Sequence, residues 1–196
     1  MQYKVIAISR EFGSGGRTIG REVAGRLGIP CYDHEMIELL SEKSGFSTEH
    51  IERLDEQTVP YKPFTKRGER DERSSIIQSS LWTKQEKLIT ELAEKEPCVI
   101  VGRCADYILR DREDCLRVFI HADLDKRANR VTTVYGETDV APMKRISEKD
   151  KRRKAYYQRY TNQKWADAAN YHICLDSGAM GIKACVDILE HLYKGK

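Results

Sequence analysis

Short apolar runs alternate along the chain with longer stretches in which apolar residues recur every three or four positions. The runs at 3–9, 97–102, 115–122 and 171–176 are brief, nearly continuous and rich in β-branched residues. Runs of this kind are typical of strands that a parallel sheet buries on both faces. A shorter run at 29–33 predicts a fifth strand.

Helical periodicity follows the first strand and recurs later in the chain. Ile19, Val23 and Leu27 are spaced four residues apart, and Gly28 followed by Pro30 predicts the end of this helix. The same periodicity predicts two further helices, marked by Leu81, Leu88, Ile89 and Leu92, and by Ile182, Val186, Leu189 and Leu192. Strands separated by helices predict an α/β fold with right-handed crossovers and a parallel sheet between helices.

Two segments do not fit this alternation. Residues 57–80 contain two prolines near their start and continue polar and charged, with little periodicity. Residues 124–165 are long, basic and rich in tyrosine. Long insertions in compact α/β domains are more often functional lids or substrate-binding flaps than idle connections.

Composition indicates one soluble domain and excludes few partners. The 196 residues are 40% hydrophobic and 33% charged, which suits a single domain with a sizeable core. The formal net charge of +3 is too small to indicate nucleic acid, so any positive charge that matters must be clustered. No apolar run reaches membrane length and the N-terminus lacks a signal-peptide pattern, so we expect a cytoplasmic protein without a membrane partner.

The six cysteines show neither CxxC nor metal-ligand spacing. They are expected to be free thiols in a reducing cytosol.

The segment EFGSGGRT, residues 11–18, joins the first strand to the first helix. Gly13, Gly15 and Gly16 leave room for backbone amides to converge on an anion. The start of the following helix adds free N–H groups and the positive end of its dipole. The segment therefore predicts a phosphate-binding loop, with a plain glycine turn as the alternative.

This loop departs from the strict P-loop pattern GxxxxGK[ST] at two places. Glu11 replaces the leading glycine and Arg17 replaces the lysine. Arginine can still bridge phosphate oxygens, because its planar guanidinium is always charged. Thr18 keeps the hydroxyl that would meet magnesium, and it is expected to open the helix.

Two downstream features indicate what a bound phosphate would be used for. Arg103 directly follows a buried strand, at the edge where open α/β sheets bind ligands; the alternative is a surface charge that starts a helix. Residues 144–154, KRISEKDKRRK, contain seven basic residues against two acidic ones, a pattern that also fits a solvated helix face. Arg127 and Arg130 lie in the same insertion.

Arginines on a segment that can close suit phosphoryl transfer. The donor and acceptor phosphates repel each other, and water would otherwise capture the γ-phosphoryl group. A closing lid with guanidinium groups neutralises this charge and excludes water, and no covalent nucleophile is needed.

Six segments resemble, in order, the bacterial cytidylate kinase-like proteins of the P-loop nucleoside monophosphate kinase group. They are ISREFGSGGRTIG, LGIPCYDHEMI, VGRCADYIL, VFIHADLDKRANRV, ISEKDKRRKAYYQRYT and NYHICLDSG. The resemblance covers nearly the whole chain. It implies a single P-loop kinase domain over 1–196, with an acceptor-binding insert at about 34–80, a basic lid at about 124–165, and magnesium-bound ATP as donor.

The resemblance also implies roles for individual residues. The donor phosphates would lie on Gly13, Ser14, Gly15, Gly16, Arg17 and Thr18. Transfer would be assisted by Arg17, Arg127, Arg130, Arg152 and Arg153. The acceptor would contact Asp33, Arg103 and Asp106, although Asp33 could instead contact a magnesium-bound water or cap the following helix. Magnesium would bind Thr18 directly, with Asp123 in its outer shell.

The implied function is ATP-dependent phosphoryl transfer to a nucleoside monophosphate, with CMP or dCMP first. Two alternatives remain: a kinase for another small metabolite, and a nucleotide-binding sensor module that has lost transfer chemistry. Nucleic acid is not an expected partner, because Tyr156, Tyr157, Tyr160 and Trp165 are expected to pack the base of the lid and no RNA-binding motif accompanies them. The segment RSSIIQSSLW, residues 73–82, is a candidate surface for a homodimer.

Overall fold

A computed structural model describes residues 3–51 and 68–195. Within these residues, five parallel strands form one sheet in the order β2-β3-β1-β4-β5. The strands are β1 (Val5–Arg10), β2 (Cys31–Tyr32), β3 (Cys98–Val101), β4 (Cys115–His121) and β5 (Ile173–Asp176). All five predicted strands and the predicted parallel α/β fold are confirmed.

Helices cover both faces of the sheet. They are α1 (Gly16–Leu27), α2 (Glu35–Ser44), α3 (Gly68–Lys95), α4 (Ala105–Ile108), α5 (Leu124–Thr133), α6 (Pro142–Thr161), α7 (Ser177–Met180) and α8 (Ile182–Lys194). Gly28 ends α1 in the left-handed conformation, as its position after the periodic residues predicts.

Each strand contributes to two separate cores because its side chains alternate between faces. Ile6 and Ile8 of β1 pack with α1 and α8, whereas Val5 and Ala7 pack with α2 and α3. Burial on both faces explains why the strands are continuous apolar runs. It also leaves the carboxyl ends of the strands as the sheet edge that can bind a ligand.

The structure corrects the reading of residues 57–80 as an aperiodic insertion. From Gly68 onward this segment belongs to α3, whereas 57–67 lie outside the described residues. The helix is mostly polar and contacts the core through a narrow apolar stripe that includes Ile77 and Leu81. Such a stripe gives weak periodicity, and charged residues with high helix propensity maintain the helix between its apolar positions.

The predicted lid region, 124–165, consists of α5 and α6 and the residues that follow. None of the described helices is both long enough and apolar enough to cross a membrane. All six cysteines are free, as expected. Burial raises the pKa of Cys98 and of Cys115 to about 12, so neither thiol is activated.

Two glycines of α1 test how closely this helix packs on the sheet. A Cβ at Gly20 would lie 2.7 Å from Cγ2 of Val101, whereas a Cβ at Gly25 would meet nothing within 4 Å. Gly20→Ala should lower the free energy of unfolding by ~1–3 kcal/mol through overpacking. Gly25→Ala should raise it by ~0.5–1 kcal/mol through helix propensity. Urea unfolding measures both, and equal effects would contradict the close packing.

Candidate active site

A solvent-open cavity of about 230 Å³ lies at the carboxyl ends of β1 and β3 and beneath α6. Among the described residues that line it, six are cationic: Arg10, Arg17, Arg103, Lys149, Arg152 and Arg153. Asp33 is the acidic residue among the lining side chains. This excess of positive charge makes the cavity a site for an anionic ligand.

The glycine loop has the backbone geometry that anion binding needs. Gly13 and Gly15 have φ angles of 84° and 77°, in the left-handed region that favours glycine. Helix α1 begins at Gly16, so the prediction that Thr18 opens it is wrong by two residues. The Ile19 N–H donates to the Gly15 carbonyl at 2.9 Å. The amides of α1 that precede Ile19 have no partner within the helix, so they can donate hydrogen bonds to an anion.

Ser14 supports the loop through its side chain. Its buried hydroxyl lies 2.9 Å from the Glu11 carbonyl and 3.1 Å from the Ile120 carbonyl. The Ser177 hydroxyl donates to the Ser14 carbonyl at 2.5 Å. The Ser14 amide also donates to the Glu11 carbonyl, at 3.4 Å, so both polar groups of this residue support the fold of the loop.

Arg130 lies directly over the loop. Its Nη2 donates to Thr18 Oγ1 at 2.9 Å, and its Cζ would lie 3.2 Å from a Cβ at Gly15. The structure thus brings Arg130, Gly15 and Thr18 together, as the sequence analysis expects of a lid arginine beside a phosphate loop.

Asp33 is surrounded by arginines. Its carboxylate lies 2.6 Å from Arg17 Nε, 3.6 Å from Arg21 Nη2 and 4.0 Å from Arg10 Nη2. Only 3% of the Asp33 side chain is exposed, compared with 52% of Arg17. The N-cap of α2 is His34, so the capping alternative for Asp33 is not supported.

Arg103 and Cys104 both adopt left-handed backbone conformations, with φ of 57° and 55°. This geometry is unfavourable for side chains with a Cβ and persists only when neighbours hold it. Gln85 is one such neighbour: its Nε2 donates to the Arg103 carbonyl at 3.0 Å, while the Tyr156 hydroxyl donates to its Oε1 at 3.1 Å. The Arg103 side chain lines the cavity, which favours the ligand role over that of an outer surface charge.

Arg127 lies behind the loop and outside the cavity lining. Only 6% of the residue is exposed, and its Nε donates to the Phe12 carbonyl at 2.7 Å. Its guanidinium also pairs with Glu11 at 3.2 Å and with Asp150, which in turn accepts the Phe12 amide at 2.8 Å. Every side of this guanidinium is engaged in fastening α6 to the loop, which favours a structural role, and the expected role in transfer stays a prediction.

Asp106 is buried and held by two hydroxyl groups. It is 2% exposed, and its two carboxylate oxygens accept the Ser9 hydroxyl at 2.9 Å and the Tyr157 hydroxyl at 2.7 Å. Burial raises the pKa of Asp106, although both hydrogen bonds act in the opposite direction. Asp106 is not among the residues that line the cavity, and its contact with an acceptor stays a prediction.

Asp123 is exposed at the start of α5, makes no capping hydrogen bond and does not line the cavity. Its outer-shell magnesium role stays a prediction.

Arg152 and Arg153 line the cavity from α6, as expected. Arg153 Nη1 donates to the Arg10 carbonyl at 2.9 Å, and its guanidinium lies 5.6 Å from the centre of the Phe12 ring. Burial lowers the pKa of the Arg153 guanidinium, so a bound anion would stabilise its charged form.

The aromatic residues near the base of the lid pack against one another. Trp82 and Tyr160 stack with ring centres 4.5 Å apart, and Trp165 packs edge-on against Phe119. This arrangement agrees with the packing role expected of these residues, and Tyr156, Tyr157 and Trp165 also line the cavity.

Sequence reasoning missed Arg10 and Lys149 as cavity residues. Arg10 is the last residue of β1 and directly precedes the glycine loop, so the strand-end argument applied to Arg103 would have found it. Lys149 belongs to the basic run of α6. Nothing in the sequence distinguishes it from the other basic residues there.

The donor set at the loop fits magnesium only in company with phosphates. Magnesium in phosphoryl-transfer sites keeps mainly water and phosphate oxygens, with one or two protein ligands. Thr18 offers one hydroxyl, which Arg130 contacts. Across the described ranges, no group of three or more His, Cys, Asp or Glu side chains could hold a metal by itself.

Comparison with known proteins agrees with this geometry. A family model described as "Cytidylate kinase-like family" matches residues 5–179. An uncharacterized protein from Eubacterium ventriosum ATCC 27560 has a similar structure, with a TM-score of 0.73 at 29% identity over 100% of both chains. No curated protein matches.

Two shikimate kinases share the fold at lower similarity. The enzyme from Acinetobacter baumannii, solved in complex with shikimate, has a TM-score of 0.55 at 16% identity and covers 97% of this chain and 92% of its own. The enzyme from Bacteroides thetaiotaomicron has a TM-score of 0.52 at 18% identity and covers 96% of each chain. At these identities the likeness shows the fold alone.

The structural role of Arg127 can be tested by stability. Arg127→Met leaves Asp150 and Glu11 without their shared cation, which should cost ~3–5 kcal/mol in the free energy of unfolding. The control is Arg145→Met, which removes a partly exposed arginine paired with Glu137 and Asp139 and should lower the free energy of unfolding far less. Urea unfolding measures both. Wild-type stability of Arg127→Met would contradict the assignment.

Proposed function

Because the chain belongs to the cytidylate kinase-like family, we propose that it transfers the γ-phosphoryl group of ATP to a nucleoside monophosphate, with CMP or dCMP as the first acceptors to test. Family and fold together support the coarser statement that it is a small-molecule phosphotransferase. The observation that carries the finer proposal is the convergence of six cationic side chains on one cavity beside the glycine loop.

The charge of the cavity favours an acceptor that is itself phosphorylated. Two phosphate groups brought into contact repel each other, and only cations already held in place can offset this without reorganisation. A neutral acceptor would not need so many cationic side chains. A phosphate acceptor also needs no general base, because its attacking oxygen is already ionised at neutral pH.

The donor phosphates would lie on the glycine loop. The amides at the start of α1 point toward this position, and Arg130 would exchange Thr18 for a phosphate oxygen. Thr18 would then be free to bind magnesium, which in such sites neutralises the charge between the β- and γ-phosphates. Asp123 remains a candidate for its outer shell.

The acceptor phosphate would lie on the opposite side of the cavity. Arg103 reaches it from the end of β3, and Arg152 and Arg153 reach it from α6. Since α6 covers the cavity, its position also limits the access of water to the transferred group. Asp33 would remain paired with Arg17 at 2.6 Å beside this position.

A second candidate is a kinase for a hydroxyl-bearing metabolite. The observation that favours it is Asp33, whose carboxylate lines the cavity and could accept a proton from an acceptor hydroxyl. Its close pairing with Arg17 opposes this role, because the carboxylate would have to give up this ion pair to receive an acceptor hydroxyl.

The acceptor class can be tested directly. With ATP and magnesium, the protein should convert CMP or dCMP to the diphosphate in a coupled assay that also includes AMP, GMP and UMP. Labelled ATP with a panel of hydroxylated metabolites tests the second candidate. Turnover with no monophosphate, despite ATP binding, would contradict the proposal.

Arg103→Ala should separate acceptor binding from donor binding. Loss of one charged contact should raise the KM for the monophosphate by about tenfold or more, with ATP affinity little changed. Arg110→Ala is the matched control, because this nearby arginine is exposed and bonds the Tyr107 carbonyl instead. An equal loss of ATP affinity in Arg103→Ala would contradict its assigned side of the cavity.

A further inference from the structure

We propose that Arg10, rather than Arg17, is the arginine that contacts phosphate at the junction between the glycine loop and the acceptor side of the cavity. The inference rests on the proposed function and adds a catalytic residue to it. Arg17 occupies the position of the P-loop lysine in the sequence, but the two side chains differ in direction and surroundings.

The path of the Arg10 side chain is built into the backbone around it. A Cβ at Gly16 would lie 2.6 Å from Arg10 Cβ and 2.9 Å from its Cγ. A Cβ at Gly102 would lie 2.0 Å from Arg10 Nη1 and 2.9 Å from its Cζ. The stem therefore runs past the first residue of α1, and the guanidinium lies against the backbone that precedes Arg103.

The absence of side chains at both glycines is thus what admits Arg10. A side chain at position 16 would have to begin in the space that the Arg10 stem fills. The positive charge at this edge of the loop consequently comes from Arg10 at the end of β1. The start of α1 leaves room for its side chain because residue 16 is glycine.

Arg17 is directed differently. Its Nε lies 2.6 Å from Asp33, and about half of its side chain is exposed. Arg10 is more enclosed, with 18% of its side chain exposed, and its Nη2 lies 4.0 Å from the same carboxylate. Asp33 therefore neutralises Arg17 more closely than it neutralises Arg10.

The positive charge of Arg10 lies close to other arginines that repel it. Burial is the main cause that lowers its pKa, followed by the nearby Arg153, while Asp33 acts in the opposite direction. Arg17 and Arg103 add smaller effects of the same sign as Arg153. A phosphate in the cavity would offset this repulsion, which makes Arg10 a site where anion binding gains free energy.

The backbone at position 10 ties this residue to the lid. The Arg10 carbonyl accepts a hydrogen bond from Arg153 Nη1 at 2.9 Å. Arg10 is therefore held between the loop, the end of β3 and α6, the three elements whose charged groups must meet in phosphoryl transfer.

The test compares Arg10→Gln with Arg17→Gln and with the control Arg21→Gln. Arg21 also approaches Asp33 but does not line the cavity. Calorimetry with AMPPNP and, separately, with CMP distinguishes the donor phosphate from the acceptor phosphate as the ligand of Arg10. Arg10→Gln should weaken one or both affinities by about thirtyfold. Arg17→Gln should weaken them by about threefold or less, and Arg21→Gln by less than about threefold.

Gly102→Ala tests the same inference without removing the charge. The new Cβ would displace the Arg10 guanidinium, so ligand affinity should fall in the wild-type background and fall much less in the Arg10→Gln background. Backbone strain at the positive φ of position 102 is common to both backgrounds and cancels in this comparison. Equal losses in the two backgrounds would overturn the inference, as would AMPPNP and CMP affinities of Arg10→Gln equal to those of the wild type.

Binding also separates this inference from the proposed function. Wild-type protein that binds AMPPNP but transfers phosphate to no acceptor would contradict the kinase proposal, while the ranking of the arginine variants would still decide on Arg10. Wild-type protein that binds neither AMPPNP nor CMP would overturn both.

Discussion

Repulsion among like charges is the constraint on which this molecule depends. Six cationic side chains face a cavity in which Asp33 is the acidic lining residue. Such a cluster persists only where the surrounding structure holds each member in place, because every guanidinium would gain by moving into water. The parallel sheet, covered on both faces, provides that rigidity, and a polyphosphate ligand would supply the missing negative charge.

The arginines of the site are divided between holding the structure and facing the ligand. Arg127 and Arg130 lie three residues apart on α5, yet one is fastened beneath the glycine loop and the other lies above it. The difference comes from their partners. Glu11 and Asp150 enclose Arg127, whereas Arg130 meets a hydroxyl that a ligand can replace. The ion pair with Arg127 thus explains why Glu11 stands where the P-loop pattern has its leading glycine.

Hydrogen bonds couple α6 to the strand ends that carry the cavity arginines. Arg153 bonds the carbonyl of Arg10, and Tyr156 reaches the carbonyl of Arg103 through Gln85. Asp150 accepts the amide of Phe12 in the loop. A movement of α6 would therefore change the positions of the loop and of both strand-end arginines together.

The sequence by itself determined the five strands, three of the helices, the glycine loop and the strand-end position of Arg103, because periodicity and glycine placement act over a few residues. It could not decide which of the many basic residues reach the cavity, since a sequence does not show where a charged side chain points in the folded protein. Arg10, at the end of a predicted strand, was within reach of that reasoning, whereas the burial of Arg127 and Asp106 depends on partners more than twenty residues away. Only the tertiary structure decides these cases, because a charged side chain is enclosed or exposed according to what distant segments bring against it.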